Sequence, residues 1–222
     1  QGSKINIMTT ESTRKRNVEI CSIGFSDLAD VVEVHMSAFG DSALTKLGRK
    51  TVLKYYQRQL SSAIKLYAIG AYIDGKMLGF SFGGLFGGAI SDFLHRNRYF
   101  LFMQLLLRPW LLLNPVYLKK VLSGLVSMLR FSRKKGEVFE EPPVDMPEEF
   151  WILSIASATT ARGLGVGRRL LEDSVQYARE NDFDVLCLTV RPENINAVQF
   201  YEHIGLVKEG DLENWKGEMR KV

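Results

Sequence analysis

Apolar residues recur along the chain at two different periods, and the period decides each element. Val18 to Ile23 (VEICSI) is a short apolar run with the pattern of a strand. Ser26 or Asp27 then stands where a helix cap belongs. Leu28, Val31, Val32, Val34 and His35 follow near one stripe, which predicts a helix to about Phe39. GDSALTKLG reads as a loop or a short turn of helix. Thr51 to Leu60 places Val52, Leu53, Tyr56 and Leu60 at helical spacing. Leu66 to Ile73 and Met77 to Gly84 predict two strands joined at Asp74-Gly75, a dipeptide suited to a tight hairpin.

The C-terminal part is as regular. Glu149 to Ser157 predicts a strand. Gly167 to about Glu180 predicts a helix that buries Leu170, Leu171, Ser174, Val175 and Ala178. Asp184 to Val190 is a further strand, and Asn196 to Ile204 a short helix stopped by Gly205. Leu206 to Glu209 and Trp215 to Arg220 form a closing pair of strands. Between the two parts lie residues 86–147, whose stretch RNRYFLFMQLLLRPWLLLNPVYLKKVLSGLVSMLRFSRKK is apolar, helical and bounded by basic clusters. Gln104, Arg108, Pro109 and Pro115 interrupt it short of the ~20 residues that a membrane span needs. It predicts a helical insertion packed on the domain or on a dimer mate, a position compatible with a lid. Arg130, Arg133, Lys134 and Lys135 would also suit anionic headgroups, so contact with a membrane surface is a second reading.

The densest chemistry lies in ATTARGLGVGRRLLEDSVQYARE, Ala158 to Glu180. An apolar strand, a bend of small residues and a helix N-terminus gather free N–H groups and the positive end of a helix dipole at one point, which is an anion site. A dinucleotide fingerprint needs a third glycine where Arg168 stands, and a P-loop needs a Gly-Lys-Ser/Thr that is absent. The pattern present is Arg162-x-x-Gly165-x-Gly167. One strand later comes RPENINAVQFYEHIGL, with Asn194, Ala197, Phe200-Tyr201 and Gly205. Together, over residues 149 to 210, these two motifs resemble the pyrophosphate-binding turn and the closing motif of the GNAT superfamily of acyl-CoA-dependent N-acetyltransferases.

That resemblance implies an α/β (α+β) fold with a mixed, mostly antiparallel central sheet flanked by helices. Residues 18–222 would form one domain, behind a tail of residues 1–17 whose Gln1-Gly2-Ser3 reads as an expression scar. It implies acetyl-CoA as co-substrate, with its pyrophosphate at Arg162, Gly163, Leu164, Gly165, Val166, Gly167 and Arg168. Pantetheine would run along the edge at Ile155, Ala156 and Ser157. Asn194 would hold the cofactor arm, and Tyr201 would act as general acid toward the sulfur. A phenol near pKa 10 and a thiol near 8.5 lie close enough for that exchange. The general base is less defined. The position usual for a glutamate falls at Trp151, so Glu149, two residues earlier on the same face, is the nearest substitute. His35 is a second candidate. Phe39 and Asp41, beside it, are expected to line the acceptor pocket, and Asp41 would recognise a cationic group. The segment HMSAFGDSALTKLG resembles bacterial members that act on surface polysaccharides or small molecules. A small amine, an amino sugar above all, is therefore the expected acceptor. A peptide or protein N-terminus is the alternative within enzymes, and a non-catalytic acyl-CoA-binding module the alternative outside them.

Composition narrows this only a little. Of 222 residues, 46% are hydrophobic and 24% charged, ordinary for a globular protein. The net charge of +4 lacks the long basic blocks of a nucleic-acid binder. Cys21 and Cys187 both lie in apolar strand-like runs, so two buried thiols in a reducing, cytoplasmic setting are expected, and no disulfide. With three histidines at scattered positions, no metal-ligand spacing appears and no metal is expected.

Overall fold

A computed structural model describes residues 17–61, 66–84, 89–113, 149–209 and 215–220. The elements are β1 (Glu19–Ser22), a 3₁₀ turn (Phe25–Asp27), α1 (Leu28–Ala38), α2 (Ala43–Lys46), α3 (Arg49–Leu60), β2 (Leu66–Ile73) and β3 (Lys76–Gly84). Of the insertion, α4 (Ala89–Arg96), α5 (Arg98–Leu106) and α6 (Trp110–Leu113) are described. Then come β4 (Glu149–Ser157), a second 3₁₀ turn (Thr159–Ala161), α7 (Val166–Glu180), β5 (Val185–Val190), α8 (Ile195–Ile204), β6 (Val207–Lys208) and β7 (Trp215–Arg220). The expected N-terminal tail up to Arg16, and the four basic residues from Arg130 to Lys135, lie outside the described residues.

The strands form one seven-stranded sheet in the order β1-β2-β3-β4-β5-β7-β6. Every pairing is antiparallel except β4 with β5. The β2–β3 turn is the one its dipeptide demands. Asp74 at φ 53° and Gly75 at φ 75° are both left-handed, the conformation of a two-residue hairpin loop that matches the strand twist.

Alternation along β3 sends its residues to two cores. Phe80 and Phe82 join Val31, Val52 and Tyr56 beneath α1 and α3. Gly79 and Gly83 face the other side, where α7 buries Leu170 and Leu171 against Phe150, Leu186 and Leu188. Those glycines set the spacing of that layer. A Cβ on Gly79 would fall 2.5 Å from Val166 Cγ1, and one on Gly83 2.4 Å from Phe150 Cζ. Helix α7 can therefore lie close against the sheet, with the anion turn at its N-terminus held over the end of β4.

The feature that positions the site is in β4. Phe82 opposes Ser154 and Gly83 opposes Ile152, so Leu153 is an extra residue, a β-bulge. In a regular strand residues 150, 152, 154 and 156 would share one face. Here Phe150 and Ile152 pack under α7 while Ala156 joins the core under α1 and α3, and Ser154 bonds to a side chain of α3. Pairing with β5 covers Glu149 to Ile152 and stops at the bulge. From Leu153 to Ser157, β4 has no ladder partner on its β5 side among the described residues.

Three expectations are corrected. Cys21 is exposed, because β1 is the outer strand of the sheet and its pattern is mostly solvent-facing. Asp27 does not cap α1 with its side chain. Its carboxylate accepts from Gly24 N–H at 2.7 Å and closes the preceding 3₁₀ turn instead. On α3 the buried face is rotated from the expected one: Thr51, Val52, Tyr55, Tyr56 and Gln59 are buried, while Leu53 and Leu60 are only partly so.

Candidate active site

The anion turn is built as its glycines require. Gly163 (φ 79°) and Gly165 (φ 78°) are both left-handed, and a Cβ on either would meet nothing within 4 Å. The surface in front of the turn is thus open to a ligand. Gly165 is the N-cap of α7, and Arg169 N–H makes the first helical bond back to Gly165 O at 3.0 Å. The N–H groups of Gly165, Val166, Gly167 and Arg168 are therefore the ones without an intrahelical acceptor. No acidic residue stands in that first turn to compensate the dipole. Arg162, Arg168 and Arg169 are exposed around it. Arg168 Nε donates to Glu172 Oε1 at 2.8 Å, an i,i+4 pair along the exposed side of α7. Leu164 is half-buried and packs against the α7-side core, while Val166 is fully buried and anchors the turn.

Helix α8 comes up to the same turn through Phe200. The Phe200 ring lies 3.8 Å from where a Cβ of Gly167 would be. Asn194 caps α8, its Oδ1 accepting from Ala197 N–H at 3.4 Å, and remains exposed. Gly205 ends the helix in the left-handed conformation (φ 106°), as expected. Tyr201 is buried in the α7-side core with Phe200 edge-on at 5.3 Å. Burial pushes its phenol up to about 12. It is fully protonated at neutral pH, but delivering that proton to a free thiolate is uphill by ~3.5 pKa units, roughly 5 kcal/mol. Its accessible chemistry is hydrogen-bond donation, with transfer completed only as charge develops on an acceptor.

A chain of side chains that the sequence did not single out runs from the bulge into the helices. Ser154 Oγ lies 3.0 Å from Tyr56 Oη, and Tyr56 Oη lies 2.9 Å from His35 Nδ1. His35 Nε2 lies 3.4 Å from Ser42 Oγ. Proton positions follow from the far end. The Ser42 hydroxyl donates to Thr45 Oγ1 and accepts from Thr45 N–H as the α2 cap, so His35 Nε2 must be the donor toward it. Nδ1 is then bare and accepts from Tyr56 O–H, and Tyr56 Oη accepts from Ser154 O–H. The Ser154 lone pairs are left facing out of the chain at the bulge. The signal in sequence was Ser154 among the apolar residues of WILSIAS, but its partners lie on α3 and α1 and only the fold joins them.

His35 is 3% exposed, and burial lowers its pKa to about 4. Phe39 packs edge-on against the imidazole at 4.9 Å. Asp41 is not drawn into this chain. It is solvent-exposed and paired with Lys46 at 3.1 Å. The His35 shift has a stability consequence. The unfolded imidazole takes its proton near 6.5 and the native one only near 4, so between those values the unfolded chain binds more protons. The contribution is present above pH 6.5 and is lost as the pH falls toward 4, by about 3 kcal/mol. Thermal melts should show Tm dropping through that window in the wild type and a flatter profile in His35→Gln. Parallel profiles in the two proteins would contradict the assignment.

Glu149 stands on the same face but in the paired, lower part of β4. Its Oε2 accepts from Trp151 Nε1 at 2.8 Å. Glu149, Cys187 and Glu218 place one ligand atom each within 4.8 Å of one another, the one such group among the described residues. A cation of the protein's own already serves this cluster. Lys216 Nζ donates to Glu218 at 2.5 Å and to Glu209 at 2.8 Å, and lies 5.1 Å over the Trp151 ring. Burial works against that ammonium, yet its carboxylate partners outweigh it and raise its pKa. Burial, then Glu149 and Glu218, push the Cys187 thiol up to about 12, which makes it a poor nucleophile.

A bulged strand that parts from its parallel neighbour beside a glycine-rich helix N-terminus leaves an open strand edge next to a site suited to an anionic, phosphate-bearing ligand. The profile described as Acetyltransferase (GNAT) family matches residues 29–206, and the chain belongs to that family of acetyltransferases. Solved structures share the fold at low identity. The PaiA N-acetyltransferase of Thermoplasma acidophilum, in complex with coenzyme A, is 13% identical with a TM-score of 0.55, over 92% of this chain and 99% of that one. An N-acetyltransferase of Staphylococcus aureus is 12% identical with a TM-score of 0.55, over 93% and 99%. A ribosomal-protein-alanine N-acetyltransferase of Brucella melitensis is 13% identical with a TM-score of 0.53, over 91% and 99%. No curated protein matches the chain significantly in sequence.

Proposed function

We propose that this protein moves an acetyl group from acetyl-CoA directly to the primary amine of a small molecule, with an amino sugar as first candidate. The observation that carries this reading is the parting of β4 from β5 at the Leu153 bulge, next to the open turn at Gly163 and Gly165. In this reading the N–H groups from Gly165 to Arg168, with Arg162, hold the pyrophosphate. Ile155, Ala156 and Ser157 offer their free strand edge to the pantetheine amides, and Asn194 holds the cofactor arm. Tyr201 donates to the sulfur as the C–S bond breaks. Cys187 forms no acyl-enzyme, since its thiol is buried and held protonated.

The base is the Ser154–Tyr56–His35 chain, with Glu149 as the alternative. Once the amine has attacked, its nitrogen is strongly acidic. A proton passing to Ser154 Oγ can be matched by one leaving Ser154 to Tyr56 and one leaving Tyr56 to His35 Nδ1. A histidine held near 4 cannot strip an alkylammonium of pKa near 10.4, whose neutral form costs roughly 4–5 kcal/mol at pH 7. It suits an amine already neutral when it binds. A peptide α-amino group, with a pKa of about 7.7–8, comes close to that condition, since its neutral form costs only about 1 kcal/mol at pH 7, and an amino sugar likewise asks less than an alkylammonium. The second reading, a peptide N-terminus, rests on that point and on the likeness in fold to the ribosomal-protein-alanine N-acetyltransferase of Brucella melitensis. Comparing kcat/KM for amino sugars, polyamines and alanyl peptides separates the two. Preference for peptides would replace the first reading, and preference for polyamines would remove His35 as base.

Gly165→Asp tests the donor site. The change sets a carboxylate at a left-handed position in front of the helix N-terminus, where the pyrophosphate would lie. Acetyl-CoA affinity by calorimetry should fall by at least roughly tenfold through charge repulsion. Unchanged affinity would remove the turn as the phosphate site.

A further inference from the structure

Helix α5 is apolar on both sides, and among the described residues one side is packed against the domain while the other is exposed. Phe93 and Leu101 are buried in the core under α1 and α3, Phe100 packs against that core, and Lys54 Nζ lies 5.1 Å over the Phe100 ring. Arg108 bonds Gln104 and reaches to Gly48 at the start of α3. These contacts fix the insertion helices to the domain. On the opposite side, Tyr99, Phe102 and Leu106 fall at helical spacing and are 73%, 59% and 56% exposed. On α6, Trp110 and Leu113 extend the same apolar character at 60% and 85%. A surface helix ordinarily turns polar residues outward; α5 and α6 together present these five large apolar side chains.

Charge says what such a face would meet. Arg96 and Arg98 are exposed at the N-terminal end of α5, and Arg108 is half-exposed at the other end. From Phe93 to Gly136 the sequence holds nine lysines and arginines and no aspartate or glutamate. The remaining chain carries 20 of the 29 basic residues against all 25 acidic ones, so its net charge is negative. All of the protein's excess positive charge therefore lies in the segment that also exposes the apolar face. A face between two copies of this chain would bring Arg96, Arg98 and Arg108 against their own copies, which disfavours self-association. An aqueous, neutral partner would make no use of them. Among the described residues no helix is long and apolar enough to cross a membrane.

We infer that the outer face of α5 and α6 docks the enzyme on an anionic lipid surface, inserting Phe102, Leu106 and Trp110 at the headgroup level while Arg96 and Arg98 meet the phosphates. Aromatic and leucine side chains on one face with basic residues at its rim are the composition of an interfacial helix. Each basic residue near such a surface adds attraction that fades within a Debye length. The consequence for the reaction is location: the open cleft would work next to a membrane, within reach of acceptors anchored there.

The test uses the full chain and vesicles of phosphatidylcholine, with or without phosphatidylglycerol. Expected is sedimentation with the anionic vesicles at low salt, release at high salt, and weak binding to phosphatidylcholine alone. Trp110 emission should shift to the blue on binding and be quenched by brominated lipid tails, and both signals should disappear in Trp110→Phe. Arg96→Glu with Arg98→Glu should weaken partitioning by at least roughly tenfold. Phe102→Glu with Leu106→Glu should abolish it while leaving acetyl-CoA affinity unchanged. If that variant does not fold, the wild-type salt dependence and the Trp110 quenching decide. Absence of binding at low salt overturns the inference, and so does equal binding to both vesicle types. It also fails if sedimentation velocity finds a dimer that the glutamate variant breaks while vesicles bind neither protein.

Discussion

Tyr201→Phe should lower kcat by roughly a hundredfold while leaving acetyl-CoA affinity nearly unchanged, the lower end of what a positioned general acid supplies. The hydroxyl is the only atom removed, and the ring keeps its place against Phe200 and the α7-side core. A binding role would instead raise KM and the dissociation constant together. Burial holds the phenol near 12, so the alkaline limb of the wild-type rate should not reflect a free tyrosine near 10. An unchanged kcat, or a loss carried entirely by affinity, would take the acid role from Tyr201.

Tyr56→Phe should cost kcat about as much by a different route. The change cuts the chain between Ser154 and His35, leaving Nδ1 without its donor and the Ser154 hydroxyl without its acceptor. Buried His35 and part-buried Ser154 both lose a partner, so stability should also fall, by about 1–3 kcal/mol. Loss of turnover at a temperature well below Tm separates chemistry from unfolding. The reading requires His35→Gln and Ser154→Ala to show a similar loss, and Tyr56→Phe with His35→Gln to be no worse than either alone, because members of one relay are not additive. If Glu149→Gln abolishes turnover while Tyr56→Phe does not, the base is Glu149.

How far the sequence could lead depended on whether a residue's role was local. The turn was legible because left-handed backbone is expensive for every residue but glycine, so Gly163 and Gly165 mark it wherever the chain goes. The Asp74-Gly75 hairpin and the stop at Gly205 were legible for the same reason. The limits of β4, Glu149 to Ser157, came from its apolar run. The bulge inside it did not, because one extra residue is defined only by what β3 places opposite. Without the bulge Ser154 would point under α7, and a serine in an apolar run would stay an oddity. The stripe on α1 contained His35, but its partner Tyr56 lies on α3 and contacts β4 across the chain. Cys21 failed for a topological reason: an apolar strand is buried only if something covers it, and β1 is an edge.

The central claim is that an amine, and not water or a protein thiol, takes the acetyl group. The direct measurement is release of free CoA thiol from acetyl-CoA with and without an amine acceptor, with intact-protein mass followed in the same samples. The account predicts thiol release that depends on the amine, one acetylated amine formed for each CoA, and no acetyl group on the protein at any time. Release that no amine accelerates, or an acetylated protein that forms before product, would contradict it.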